Sequence, residues 1–287
     1  MEPASASVAR MQPSEVVGQA AFALCRGPGF YYNQSRMRSE FDRLLSAGRQ
    51  LAETEEVLGG GFIPARSRSV PAAEAASPAP QGMTPEQKAK ALEEIDVKEV
   101  RACTRCPLCT GRTKTVFGEG SPDADLVFVG EGPGQDEDVS GRPFVGRAGE
   151  MLTKMIQAMG LKREDVYICN IVKCRPPGNR APNPEEAAAC WDYLVRQLQI
   201  IHPKVIATLG NPATQALLQT RIGITRLRGQ WQPLPLIGEG LQGTAVMPTF
   251  HPAFVLRQYT QDVRSKVWSD LQQVMAKLGL RPPKQEK

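Results

Sequence analysis

Cys103 and Cys106 form a C-x-x-C pair, Cys174 directly follows the apolar run VYICNIVK, and Cys190 lies 16 positions further on. Thiolates so arranged meet only if the chain folds back on itself, and a bound metal centre is the usual reason for such a meeting. The spacing is not that of a zinc ribbon, which uses two tight C-x-x-C knuckles. One tight pair with two distant partners suits an iron–sulfur cluster better, because a cube of iron and sulfur takes four ligands at its corners. The competing reading is ordinary buried thiols.

Three further segments carry groups that could act on a substrate. The first, GEGPGQDEDVSGRPFVGRAGEML, has glycines but neither the G-x-G-x-x-G order nor a following Lys-Ser/Thr, so a nucleotide-cofactor loop is disfavoured. Its acids are Glu131, Asp136, Glu137 and Asp138; acids crowded against a pocket can position water and stabilise developing positive charge. Asp136 is expected to be a solvated turn residue. Phe144, in a Gly-rich loop, offers a flat face for stacking a base. The second segment places Asn170 at a strand end, where its amide can both donate and accept on a base edge. There Arg175 and Arg180 are candidate phosphate contacts, and Lys173 a weaker one. The third, PTFHPAFVLR, carries His251, one of only two histidines. It begins a loop whose apolar tip, Phe254, Val255 and Leu256 followed by Arg257, has the composition of a minor-groove wedge. His202, before Pro203 at a helix end, reads as structural.

The elements that must position these groups are legible from periodicity. Continuous apolar β-type runs fall at Leu126–Gly130, Val166–Val172, Val205–Leu209 and Ala245–Phe250. Helical patterns lie at 85–100, 148–159, 184–201, 212–220 and 258–278. Apolar runs separated by helices indicate a parallel sheet covered on both faces. The expected fold is a three-layer α/β/α sandwich around a mainly parallel four-stranded sheet. Ligands of such sheets bind at the carboxyl ends of the strands, where Glu131, Asn170 and His251 all fall. Upstream, residues 1–63 read as an extension with one helix over Phe41–Leu58, stopped by three glycines. Residues 64–84 read as an Ala/Pro/Ser-rich linker, poorly ordered by composition. The domain proper is 85–280, and 281–287 form a tail.

Bulk composition constrains less. The net charge of +5 arises wholly from Thr84 onward, a mild basic excess compatible with a polyanionic partner. No apolar run approaches 18 residues, so no membrane span is expected. The N-terminal stretch makes a poor export signal. A cytoplasmic, reducing setting follows, in which seven cysteines argue for metal or catalysis rather than disulfides.

Taken together, CTRCPLC, RTKTVFGEG, GEGPGQDEDVSGRPFVGRAG, NIVKCRPPGNRAPNPEE, LGNPATQALL and TFHPAFVLR resemble the family 4 uracil-DNA glycosylases, the iron–sulfur branch of that superfamily. The likeness runs from about residue 85 to 280. It implies a [4Fe–4S] cluster of structural role on Cys103, Cys106, Cys174 and Cys190, with Cys109 a rival ligand and Cys169 a further thiol. It implies a uracil pocket of Glu131, Gly132, Pro133, Phe144 and Asn170, with His251 bonding the carbonyl that gains charge, and Glu131 or Glu137 favouring the sugar cation. Phe254, Val255 or Leu256 would fill the gap left by the extruded base. Gly132 stands where many members carry Ala, a change expected to be tolerated. The DNA-crosslinking branch has a basic insertion ending in His, absent from Val139–Glu150, so ordinary turnover is implied.

The function expected is hydrolytic removal of uracil from single- or double-stranded DNA, initiating base excision repair, by a monomer at the bacterial nucleoid. Replication or repair proteins would dock through residues 1–83. A non-catalytic iron–sulfur DNA-binding module and a zinc-held nucleotide enzyme are the competing readings.

Overall fold

The computed structural model describes residues 82–281. The helix over Phe41–Leu58, nearly all of the linker and nearly all of the tail lie outside them. Fourteen elements frame the site: α1 (Pro85–Ile95), β1 (Glu119–Gly120), β2 (Leu126–Gly130), α2 (Gln135–Ser140), α3 (Arg147–Ala158), β3 (Tyr167–Asn170), α4 (Pro184–Ile201), β4 (Val205–Leu209), α5 (Asn211–Leu217), α6 (Ile224–Leu227), β5 (Gln232–Pro233), β6 (Ala245–Thr249), α7 (Pro252–Arg257) and α8 (Gln261–Leu278).

The sheet order is β1-β3-β2-β4-β6-β5. Its four central strands are parallel and are the four the apolar runs predict. Two strands of two residues each, β1 and β5, add antiparallel edges that four-strand reasoning missed. Strands this short show no periodicity, and they are paired only because β3 and β6 present open edges. All five residues of β2 and of β4 are buried, as a sheet covered on both faces requires. Two cores result. One gathers Val127, Val129, Ile206 and Leu194 with the cysteine wall; the other gathers Phe128, Ile168, Ala207 and Met247 against α3 and α8. Each fully buried Val, Leu or Phe contributes roughly 1.5–3 kcal/mol.

Helix ends follow local chemistry. Thr84 and Gln87 form a reciprocal capping box at α1. Pro184 opens α4, and His202, left-handed at φ 56°, ends it, which accounts for that histidine structurally. The helix α1 continues as a π-helical turn over Asp96–Val100, carrying the chain into the Cys103–Cys109 loop. Among the described residues, no helix is long and apolar enough to cross a membrane.

Candidate active site and thiol cavity

The loops after the parallel strands enclose a cavity of about 610 Å³, lined among others by Glu131, Phe144, Asn170, His251 and Phe254. Its wall begins where β2 and β3 end side by side, with Gly130 in register with Asn170. Ile171 N–H donates to the Gly130 carbonyl at 3.0 Å and Val172 N–H to that of Glu131 at 3.3 Å, stitching the two exit loops together. Asn170 is 1% exposed, yet its Oδ1 has no hydrogen-bond partner. A buried amide oxygen left unpaired is costly, and because Asn170 lines the cavity, a polar ligand seated there could satisfy it.

Gly130 makes that wall possible. A Cβ there would lie 2.4 Å from Asn170 Oδ1 and 2.5 Å from the Phe144 ring. Gly130→Ala is therefore expected to displace both groups and cut catalytic efficiency at least about 100-fold, since misplacements near 1 Å cost that much. Steady-state kinetics on the folded variant would check it. Gly132 is also tighter than the sequence suggests: an added Cβ meets Val172 Cγ2 at 2.8 Å, so alanine requires that stiff side chain to move.

Phe144 adopts φ 50°, an uncommon conformation for a bulky residue. Arg163 holds it there. Its Nη1 donates to the Phe144 carbonyl at 3.1 Å and its Nη2 to that of Pro143 at 2.8 Å, while the same guanidinium pairs with Glu119. Nothing in the sequence assigned this role to Arg163 or Glu119, although Glu119 falls within RTKTVFGEG, because the role exists only once β1 pairs with β3. Opposite Phe144, the His251 ring lies 5.7 Å away between centroids, tilted by 33°.

The tautomer of His251 follows from its cap. Ala253 N–H donates to His251 Nδ1 at 3.1 Å, so in the neutral ring the proton sits on Nε2. Burial, aided by the nearby Arg257 charge and opposed by Glu137, pushes its pKa down to about 4. His251 is thus a neutral donor at physiological pH.

The two candidate carboxylates differ. Glu137 is buried at the cavity, but its oxygens accept three backbone N–H groups, from Gly134 (3.1 Å), Val145 (2.8 Å) and Gly146 (2.9 Å). It braces the loops around Phe144 and is a poor choice for orienting water. Glu131 is half-buried in the cavity lining, and burial alone raises its carboxyl above the usual carboxylate range. Asp136 is exposed, as expected, and Asp138 accepts from Thr113 N–H at 2.9 Å.

The wedge needs correcting. Phe250, tilted against Phe254 at 4.8 Å, and Phe254 itself line the cavity, and Leu256 is half-buried. Val255 is 3% exposed and belongs to the core, because α7 turns it inward. Arg257 is exposed at the rim. Arg180 also reaches the rim, but its guanidinium makes a two-pronged pair with Glu186 at 2.8 and 2.7 Å. Arg175 donates to Asn179 Oδ1 at 2.7 Å. Both are therefore partly committed inside the protein.

Cys103, Cys106, Cys174 and Cys190 line a second cavity, joined by Cys109, Arg105, Arg112, Lys173 and Tyr193. Cys169 is buried in β3 and is not among that lining. Among the described residues, no three donors converge on a single-ion point. The donors instead ring a cavity, with three cationic side chains and no carboxylate on its wall. Arg112 Nη1 donates to Cys174 Sγ at 3.3 Å. Soft sulfur donors, an N–H···S contact and surrounding cations suit an anionic sulfur-ligated centre. Cys109 stands in the same ring, so it stays a rival ligand. Without such a centre, burial raises the Cys174 thiol to about 11.

A mainly parallel sheet whose strand ends gather an aromatic ring, an unpaired amide oxygen and a neutral histidine around one cavity defines an α/β protein with a strand-end pocket. The uracil DNA glycosylase superfamily model matches residues 117–272. A type-4 uracil-DNA glycosylase of Thermotoga maritima is 49% identical over 63% of this chain and 92% of its own. Those of Archaeoglobus fulgidus (42% identical; 67% of this chain, 97% of that one) and Saccharolobus solfataricus (41%; 67% and 89%) are also similar. The chain belongs to the type-4 family of that superfamily.

Proposed function

We propose that this chain hydrolyses the N-glycosidic bond of uracil in DNA and leaves an abasic site, the first step of base excision repair. The observation that carries the reading is the buried, unpartnered amide oxygen of Asn170, a residue lining the cavity at the strand ends with Phe144 and His251. The base must first leave the stack, at a cost of a few kcal/mol that is least for mispaired or single-stranded uracil. Uracil then stacks on Phe144, with its N3–H and one carbonyl on the Asn170 amide and its O2 carbonyl on His251 Nε2–H. Breaking the C1′–N1 bond leaves the electron pair on uracil and positive charge on the sugar. His251 favours the anion and the Glu131 carboxylate favours the cation. Water adds its oxygen to C1′, and its released proton balances the departing anion. Phe254 and Leu256 fill the vacated stack, with Arg257 on the backbone.

The Cys103, Cys106, Cys174 and Cys190 thiolates would hold a [4Fe–4S] cluster, which supplies a structural brace when bound. Anaerobically purified protein is expected to be brown with about four irons per chain, and Cys174→Ser to lose most of that iron. Colourless protein carrying zinc would reject the assignment. Monomeric action at the nucleoid, with other repair proteins meeting residues 1–83, completes the reading.

The test is release of free uracil from U·G, U·A and single-stranded oligonucleotides, with abasic product scored independently. A DNA-binding module without activity would give no product above a His251→Ala, Glu131→Gln double variant. Because Glu131 must be ionised, activity is expected to fall as pH drops through its raised pKa. That acid limb should vanish in Glu131→Gln, whose residual rate would be flat there.

A further inference from the structure

Lys173 is 1% exposed, one of the largest fully buried side chains, although lysine is rarely buried without a reason. It cannot reach a phosphate. Its Nζ donates to the Asn170 backbone carbonyl at 2.8 Å and to Gln197 Oε1 at 2.5 Å. Gln197, itself 0% exposed on α4, donates onward to the Phe117 carbonyl at 3.0 Å and to the Tyr167 hydroxyl at 3.1 Å. Lys173 also lines the thiol cavity, together with its neighbour Cys174 and with Cys190. One side chain therefore joins the thiol wall, α4 and the last residue of β3, Asn170, which lines the other cavity.

We propose that Lys173 is a positioning residue for base recognition, holding the Asn170 peptide and so aiming its unpaired amide, with the thiol wall as its anchor. The inference rests on the reading of the larger cavity as a uracil pocket. A fully buried methionine would fill the same volume without desolvating an ammonium. What methionine lacks is the hydrogen bonds to Asn170 and Gln197. Glu137 and Arg163 fix the Phe144 side of the pocket; Lys173 does the equivalent on the Asn170 side.

The experiment uses the full chain, purified anaerobically, as wild type, Lys173→Met and Lys173→Gln. Iron per chain, inhibition by free uracil, affinity for uracil-free DNA and single-turnover release are measured together. The expected result is iron retained in both variants, since Arg105 and Arg112 still face the thiols, and unchanged affinity for uracil-free DNA. In Lys173→Met, uracil inhibition weakens about tenfold and release slows about 10- to 100-fold. Lys173→Gln, which keeps a donor, falls between. In an Asn170→Ala background, Lys173→Met should cost less than about threefold more, since both act through one amide. Uracil inhibition and release at wild-type levels in Lys173→Met would overturn the inference. So would losses that multiply fully with Asn170→Ala, or iron lost from both lysine variants. A wild type that neither releases nor binds uracil would instead sink the underlying reading, and the inference with it.

Discussion

Asn170→Asp is expected to lower catalytic efficiency on uracil in DNA by about 10²- to 10³-fold, near 3–4 kcal/mol of lost transition-state stabilisation. The amide can accept from uracil N3–H and donate to the adjacent carbonyl at once; an ionised carboxylate can only accept. It would set a negative charge against the uracil carbonyl in a wall where Asn170 is 1% exposed. The volume is nearly unchanged, so folding should survive, and the wild-type melting temperature would separate a recognition defect from a collapsed core. The same substitution should weaken inhibition by free uracil in proportion. A variant with normal uracil inhibition and slow release would move Asn170 out of base recognition.

His251→Ala is expected to slow the chemical step by about 10²- to 10³-fold, the loss typical of removing one donor to a developing anion. Its effect should fall on kcat rather than KM, since the bond strengthens as charge gathers on the uracil. The size of the loss should also stay constant from about pH 5 to pH 8, because a histidine whose pKa is pushed down to about 4 is neutral throughout that range. Single-turnover rates of wild type and variant across that range would check both points. A penalty that grows toward low pH would mean that His251 acts as a cation.

The elements that carry these residues were legible because the parallel strands are buried on both faces. The run LVFVG is apolar at every position but its final glycine, and the structure ends β2 where that run ends. The four expected strands stand at the centre of the sheet for the same reason. Residues at strand ends could then be picked by rule, and Glu131, Asn170 and His251 do line one cavity. Less visible was what each side chain bonds to. Glu137 looks as available as Glu131 in the sequence, yet three backbone N–H groups claim it once α2 and the Phe144 loop meet. Arg180 reads as a phosphate contact until Glu186, six residues on, takes its guanidinium. Val255 shares its apolar character with Phe254 and Leu256, and only the helical turn of α7 decides which faces the core. Arg163 lies in no motif, and Lys173 sits within NIVKCRPPGNRAPNPEE with nothing there to mark its bonds; the importance of both lies in carbonyls that tertiary folding brings to them.

The central claim is that the larger cavity seats an extruded uracil between Phe144, Asn170 and His251. A crystal structure of the protein with free uracil tests it most directly. The ring is expected to stack on Phe144, with the Asn170 amide paired to N3–H and its neighbouring carbonyl and His251 Nε2 donating to O2. Uracil bound elsewhere, or seated with Asn170 Oδ1 still unpaired, would contradict it.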